Sequence, residues 1–128
     1  AASVMDDLRD PTCRTHVVTL LGELPVTETI ETVTALRALD LPLGTVIANR
    51  CIAVPPVPDP LPTPPDGISP DDWSSMTTAL LDEADRARGQ AAWQALLRYR
   101  TGLDVTRVAD SDPSGHGLST LADQLELA

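Results

Sequence analysis

The sequence predicts an α/β fold in which helices pack on both faces of a parallel sheet, giving three layers. Short β-branched segments alternate with longer segments of helical periodicity, in the order helix, strand, helix, strand, helix, strand, helix. The core must be built from small aliphatic side chains, because 42% of the residues are apolar and only Trp73, Trp93 and Tyr99 are aromatic. A chain of 128 residues is expected to form one domain over 1–128.

Three segments have the apolar, β-branched content of buried strands: residues 15–21 (THVVTLL), 45–52 (TVIANRCI) and 104–110 (DVTRVAD). Right-handed crossovers between consecutive strands would make the sheet parallel and gather all carboxyl ends at one edge. Ligands of such sheets bind beyond that edge. Asn49 and Arg50, at the end of the middle segment, are therefore expected at the functional edge.

The remaining segments predict four helices. Residues 3–11 are expected to be the last turns of a helix stopped by Pro11, so that the chain would start partway through a larger protein. After a turn at residues 22–25, residues 26–40 have an apolar helical face. Ser69 followed by Pro70 predicts a helix start, Gly102 its end, and a kink or break is expected near Gly89. Residues 118–127 predict a closing helix.

Residues 53–68 (AVPPVPDPLPTPPDGI) are too rich in proline for a helix or a strand ladder. The segment is expected to be a loop insertion that crosses the surface in an extended, polyproline-like conformation. The alternative is a ligand for a proline-recognising module.

Charge and composition exclude several function classes. The formal net charge of −10 argues against nucleic acid and against an anionic membrane surface. All basic residues are arginine, which excludes a Walker-type lysine and Schiff-base chemistry and is typical of a GC-rich genome. No segment resembles a signal peptide or a membrane span, and a cytoplasmic location is predicted.

Few other residues suggest chemistry. Cys13 and Cys51 are expected to be buried, reduced thiols, with a disulfide as the alternative. Cys13 with His16 could form half of a metal site or pack at a strand end. His116 could stack on a nucleobase or be a solvated loop residue. Asp110 and Asp112 resemble a carboxylate pair, for which loop solvation is the default interpretation.

Residues 10–50 (DPTCRTHVVTLLGELPVTETIETVTALRALDLPLGTVIANR) combine several short motifs: Asp10–Pro11, Thr15, Glu23, Glu28–Thr29 and Ala48–Asn49. Their order resembles the anion-transporting (ArsA-like) ATPase family, which includes the arsenite-pump ATPase and the ATPase that targets tail-anchored membrane proteins. Residues 86–125 resemble its closing segment, with a Gln-bearing helix, a strand, a loop around Pro and Gly, and a last helix. The resemblance implies a Rossmann-like sheet of the P-loop NTPase type, present here as a partial domain with about three strands.

The resemblance also implies a ligand, ATP or ADP. In relatives the Asn at this strand end recognises adenine, and an amide can indeed donate to N7 and accept from the N6 amine. The base site would comprise Asn49 and Arg50, with Asp112, Pro113 and Ser114 in the loop that covers the base. The alternative for Asn49 is a strand-end amide that caps local backbone groups.

The family's phosphate loop, switch regions and hydrolytic Asp lie upstream of the matching segment, and Mg²⁺ would be bound there. Two function classes therefore stand. The chain is the adenine-side, C-terminal portion of an ATPase and does not hydrolyse ATP alone, or it is a free-standing, non-catalytic interaction module. Expected partners are ATP or ADP, a second copy of the chain, and a membrane protein that the intact ATPase would serve.

Overall fold

The computed structural model describes residues 3–53 and 56–110, together with Asp123 and Leu125. It contains α1 (Val4–Arg9), β1 (Val18–Leu20), α2 (Glu23–Ala38), β2 (Val46–Cys51), α3 (Pro70–Thr101) and β3 (Val105–Ala109). The strands form one parallel sheet in the order β1-β2-β3. The predicted α/β class, with a small parallel sheet flanked by helices, is confirmed, and the sheet is compatible with a Rossmann-like fold.

The core lies between the sheet and the pair of helices α2 and α3. Val46 and Ala48 of the central strand β2 are fully buried, and because they are two residues apart they face the same side of the sheet. Val26 of α2 and Leu97 of α3 belong to the same buried cluster, so both helices cover that one side. The described residues thus form two layers. The predicted closing helix at 118–127 lies outside them, except for Asp123 and Leu125, which are helical.

Helix α1 corrects the prediction for residues 3–11. Ser3 caps a helix that begins at Val4: its side chain accepts a hydrogen bond from the Asp6 N–H at 3.2 Å, and the Asp6 carboxylate accepts one from the Ser3 N–H at 3.1 Å. These hydrogen bonds from Ser3 hold the pKa of Asp6 below its ordinary value. The segment is therefore a short helix with its own start, and not the last turns of a longer helix.

Helix α2 begins three residues earlier than predicted. Gly22 is its N-cap, and residues 23–25, which were expected to form a turn, are its first turn. Pro25 fits there because the first N–H groups of a helix have no acceptor within the helix. The carboxylate of Glu23 is favoured at the same end by the helix dipole.

Helix α3 matches its predicted ends and has no break near Gly89. The Ser69 hydroxyl accepts from the Asp72 N–H at 3.1 Å, and Gly102 ends the helix with a left-handed φ of 67°. The helix is continuous through Gly89. A glycine in a helix costs only about 1 kcal/mol, and buried residues on both sides, Ala84 and Leu97, outweigh that cost.

Two surfaces complete the described fold. Residues 56–68 contain neither helix nor strand, and Val57 and Leu61 line a cavity of about 390 Å³ against Leu81 of α3.

On the sheet, β1 pairs with β2 alone among the described strands, and its Val18 and Leu20 are 61% and 44% exposed. The predicted self-association and the loop insertion stay predictions. In the described part of the chain, no helix is both long and apolar enough to cross a bilayer.

Candidate functional site

Strand β2 contains a bulge at its carboxyl end. Its register with β3 passes from Ala48↔Arg107 to Cys51↔Ala109, so that three steps along β2 correspond to two along β3. The extra residue lies at Asn49–Arg50, and Arg50 has a left-handed φ of 54°. Such a φ is uncommon for a residue other than glycine, and bulges beside binding sites redirect side chains. The bulge therefore takes Asn49 and Arg50 out of the ladder with β3, while Asn49 stays paired with Leu20 of β1, at the edge where the sequence predicts a site.

The side chain of Asn49 is held by its own neighbour. The Arg50 N–H donates to the Asn49 Oδ1 at 2.9 Å. This is the local capping contact that the sequence left open as an alternative. Because only Oδ1 can accept from this N–H, the contact favours one orientation of the amide, in which Nδ2 is directed away from the Arg50 nitrogen. A carbonyl oxygen has two lone pairs. The capped amide therefore keeps one acceptor site and its donors for a ligand.

A cleft of about 350 Å³, here called the carboxyl-edge cleft, lies beside this amide. The volume falls at the lower end of the range of small-molecule sites, roughly 300–1,000 Å³. Its apolar surface comes from β1, the start of α2 and the residue after β2, and its polar surface from the bulge, α3 and the end of β3. The lining residues are Leu20, Leu21, Gly22, Pro25, Asn49, Arg50, Ile52, Gln90 and Asp110. Apolar walls with a directed amide suit a flat heteroaromatic ring.

Arg50 and Asp110 lie together at this cleft. The Arg50 Nε is 3.7 Å from the Asp110 Oδ1, and both side chains are exposed. The Asp110 N–H also donates to the Cys51 carbonyl at 3.0 Å, which extends the contact between β2 and β3 beyond the strand ends. An exposed ion pair of this kind adds little stability. Of the predicted base-site residues, the structure places Asn49 and Arg50 at the cleft. Asp112, Pro113 and Ser114, like His116, lie outside the described residues.

Gln90 of α3 is a residue of the cleft for which the sequence predicted no role. Its Oε1 accepts from the Ile52 N–H at 2.8 Å, and its Nε2 donates to the Arg50 carbonyl at 3.3 Å. The sequence does carry a signal for it. Gln90 precedes Trp93 and Leu97 by three and seven residues, so a polar amide occupies the face of the helix that packs on the sheet.

Both cysteines are free, but only one is buried. Cys51 is 3% exposed, and its Sγ donates to the Ala48 carbonyl at 3.2 Å. Burial raises the pKa of the Cys51 thiol, more than the nearby Arg107 lowers it. Cys13 is only partly buried, so the prediction of two buried thiols is wrong for Cys13. Over the described ranges, no group of three His, Cys, Asp or Glu side chains could hold a metal ion, and the half site of Cys13 and His16 is not completed.

The two thiols are expected to differ in reactivity. With iodoacetamide at pH 8, Cys13 should be alkylated at least about tenfold faster than Cys51, because burial and the raised pKa both lower the amount of accessible Cys51 thiolate. A time course of peptide masses measures the two rates, and in concentrated guanidinium chloride they should converge. Equal rates in the native protein would show that Cys51 is accessible.

Comparison with known proteins gives a short match to ATPases. A stretch of 37 residues, 29% of this chain, is 54% identical to ATPase BagA of Mycobacterium tuberculosis (strain H37Rv) and to a protein of Mycobacterium bovis named "Putative ATPase". The matched stretch is 11% of the length of each of these proteins, so the likeness covers a small part of them. No family model matches the chain. The match supports a relation to ATPases and does not single out the anion-transporting family.

Proposed function

We propose that this chain is the adenine-side portion of an ATPase of the anion-transporting type and binds ATP in the carboxyl-edge cleft. The observation that carries the proposal is the Asn49 amide, which a hydrogen bond from the Arg50 N–H holds in one orientation beside a cleft of about 350 Å³. The cleft also lies where parallel sheets bind nucleotides, beyond the carboxyl ends of the strands. The short match to proteins named as ATPases agrees with this ligand.

The exposed edge of adenine complements the fixed amide. Adenine presents the N7 acceptor next to the N6 amine, so Asn49 Nδ2 would donate to N7 and the second lone pair of Oδ1 would accept from the amine. The apolar side chains of Leu20, Pro25 and Ile52 would contact the faces of the ring. Guanine presents a carbonyl where adenine has its amine, which would place two oxygen atoms opposite each other. The proposed site therefore selects adenine.

The phosphates of ATP would be bound elsewhere in the proposed ATPase. This chain has no lysine, so it cannot supply the lysine of a Walker-type phosphate loop. We assign phosphate and Mg²⁺ binding to parts of the protein other than these 128 residues, and the chain alone would bind ATP without hydrolysing it. Asp112, Pro113 and Ser114 would cover the base from the loop after β3. Self-association, a membrane-protein partner and a cytoplasmic location belong to the same proposal for the intact ATPase.

A second candidate is a non-catalytic interaction module. The observation in its favour is strand β1, which pairs with β2 alone in the described part of the sheet and exposes Val18 and Leu20. A sheet edge with apolar side chains can add a strand from another chain. Selective adenine binding distinguishes the candidates, because an interaction module of this kind does not require it.

The test is a titration of the ¹⁵N-labelled protein with AMP, ATP and GTP, followed by its amide resonances. We expect AMP and ATP to bind with similar affinity and GTP more weakly, because the cleft would contact the base and not the phosphates. The largest shifts should fall on Leu20, Asn49, Ile52 and the side-chain amide of Gln90. Affinity that rises with the number of phosphates and ignores the base would contradict the proposal.

A further inference from the structure

One side chain of α3 holds the backbone of the bulge in β2. The carboxamide of Gln90 accepts from the Ile52 N–H at 2.8 Å and donates to the Arg50 carbonyl at 3.3 Å, so it bridges the backbone on both sides of Cys51. A bulge takes backbone groups out of the regular ladder, and such groups need other partners. Gln90 is the partner of two groups at this point, across 38 and 40 residues of sequence.

The conformation that Gln90 holds is one that Arg50 would not adopt freely. The φ of Arg50 is 54°, in the left-handed region, where a side chain with a Cβ is disfavoured. Such a conformation persists when several contacts determine it. Here the Arg50 carbonyl is bound by Gln90, and the Arg50 N–H is bound by Asn49 Oδ1 at 2.9 Å. Gln90 and Asn49 therefore contact the two ends of the same strained residue.

A second contact one helical turn further on stabilises the same region in a different way. The Arg107 guanidinium donates to Gln94 Oε1 at 2.7 Å and to the Ile52 carbonyl at 3.4 Å. Gln94 thus connects α3 to β3, whereas Gln90 connects α3 directly to the bulge. The two glutamines provide a matched pair for mutation, since both form hydrogen bonds from the same face of α3 and only Gln90 contacts Arg50.

We infer that Gln90 is a positioning residue that sets the base selectivity of Asn49; the inference rests on the proposed function. By binding the Arg50 carbonyl, Gln90 keeps the Arg50 N–H on Asn49 Oδ1. The amide then keeps the orientation in which its donor and its acceptor match those of adenine. Without Gln90, Arg50 relaxes from its left-handed conformation and the amide is free to turn. A freed amide presents its donor or its acceptor to either purine. Loss of Gln90 therefore reduces discrimination between ATP and GTP.

The experiment compares Gln90→Met, Gln90→Glu and Gln94→Met with the wild-type protein. Gln90→Met removes both hydrogen bonds at similar side-chain length, and Gln90→Glu keeps the acceptor for the Ile52 N–H but loses the donor to the Arg50 carbonyl. Affinities for ATP and GTP and the melting temperature are measured for each. We expect both Gln90 variants to lose about fivefold or more of the ATP-over-GTP preference. Gln94→Met should lower the melting temperature and retain the preference.

The outcomes separate this inference from the proposed function. A wild-type preference that survives Gln90→Met, with only a lower melting temperature, would show that Gln90 is a structural contact like Gln94 and would overturn the inference alone. A wild-type protein without any preference for ATP would overturn the proposed function and the inference with it. Amide exchange adds a direct test of the geometry: the Arg50 N–H must exchange faster in Gln90→Met, and unchanged exchange would contradict the positioning role.

Discussion

Replacing Leu97 with alanine is expected to destabilise the protein by about 2–5 kcal/mol. Leu97 is 0% exposed and belongs to the cluster that joins α3 to Val26 of α2 and Val46 of β2. Truncation loses the transfer free energy of the removed atoms and leaves a cavity between two helices and the sheet, which cannot close without moving one of them. A domain of this size is stabilised by only about 5–15 kcal/mol, so the loss is a large share.

Urea denaturation of the wild type and the variant measures this loss. The matched control is Leu96→Ala, in the next residue of the same helix, whose side chain is 36% exposed. The control should cost clearly less than Leu97→Ala, because Leu96 is already 36% exposed and solvent can fill the space that its truncation leaves. Similar losses at both positions would show that the helix does not pack on the face described here.

Local chemistry explains which elements the sequence predicts well. Both ends of α3 follow from residues beside them, Ser69 with Pro70 at the start and the left-handed Gly102 at the end. The predicted starts of α1 and α2 were wrong, because these starts depend on weaker signals in the sequence. In α1 the capping box uses Asp6 in the position where Glu or Gln is typical, and in α2 Pro25 resembles a turn residue unless the helix is known to begin before it.

The place of the candidate site at the carboxyl edge of the sheet could be predicted, but the conformation of its residues could not. Asn49 could be placed at the functional edge because parallel strands gather their carboxyl ends there. The bulge could not be predicted, because Arg50 is not a glycine or asparagine and nothing in the sequence marks its positive φ. The same limit applies to Gln90, whose hydrogen bonds reach Arg50 and Ile52 from about forty residues away. Contacts between distant segments hold the backbone of the bulge, and a single sequence does not contain them.

Replacing Asn49 with alanine is expected to weaken ATP binding by about 1–3 kcal/mol and to remove the preference for ATP over GTP. That free energy is the worth of one bidentate contact to a base, and it corresponds to a loss of about 5- to 150-fold in affinity. Alanine also deletes the acceptor of the Arg50 N–H, so a fall in stability alone would not distinguish base recognition from local capping.

Asn49→Asp separates the two roles, because a carboxylate still accepts from the Arg50 N–H but has no N–H to donate to adenine N7. If Asn49 recognises the base, Asn49→Asp should retain the wild-type melting temperature and lose ATP affinity as the alanine variant does. If Asn49 serves only as a cap, Asn49→Ala should lower the melting temperature, Asn49→Asp should not, and both variants should keep the wild-type ratio of ATP to GTP affinity. The measurement is the affinity for both nucleotides together with thermal unfolding, on the wild type and the two variants. An unchanged ATP affinity in Asn49→Asp would contradict adenine recognition, because in that variant the donor to N7 is lost while the contact that holds the bulge remains.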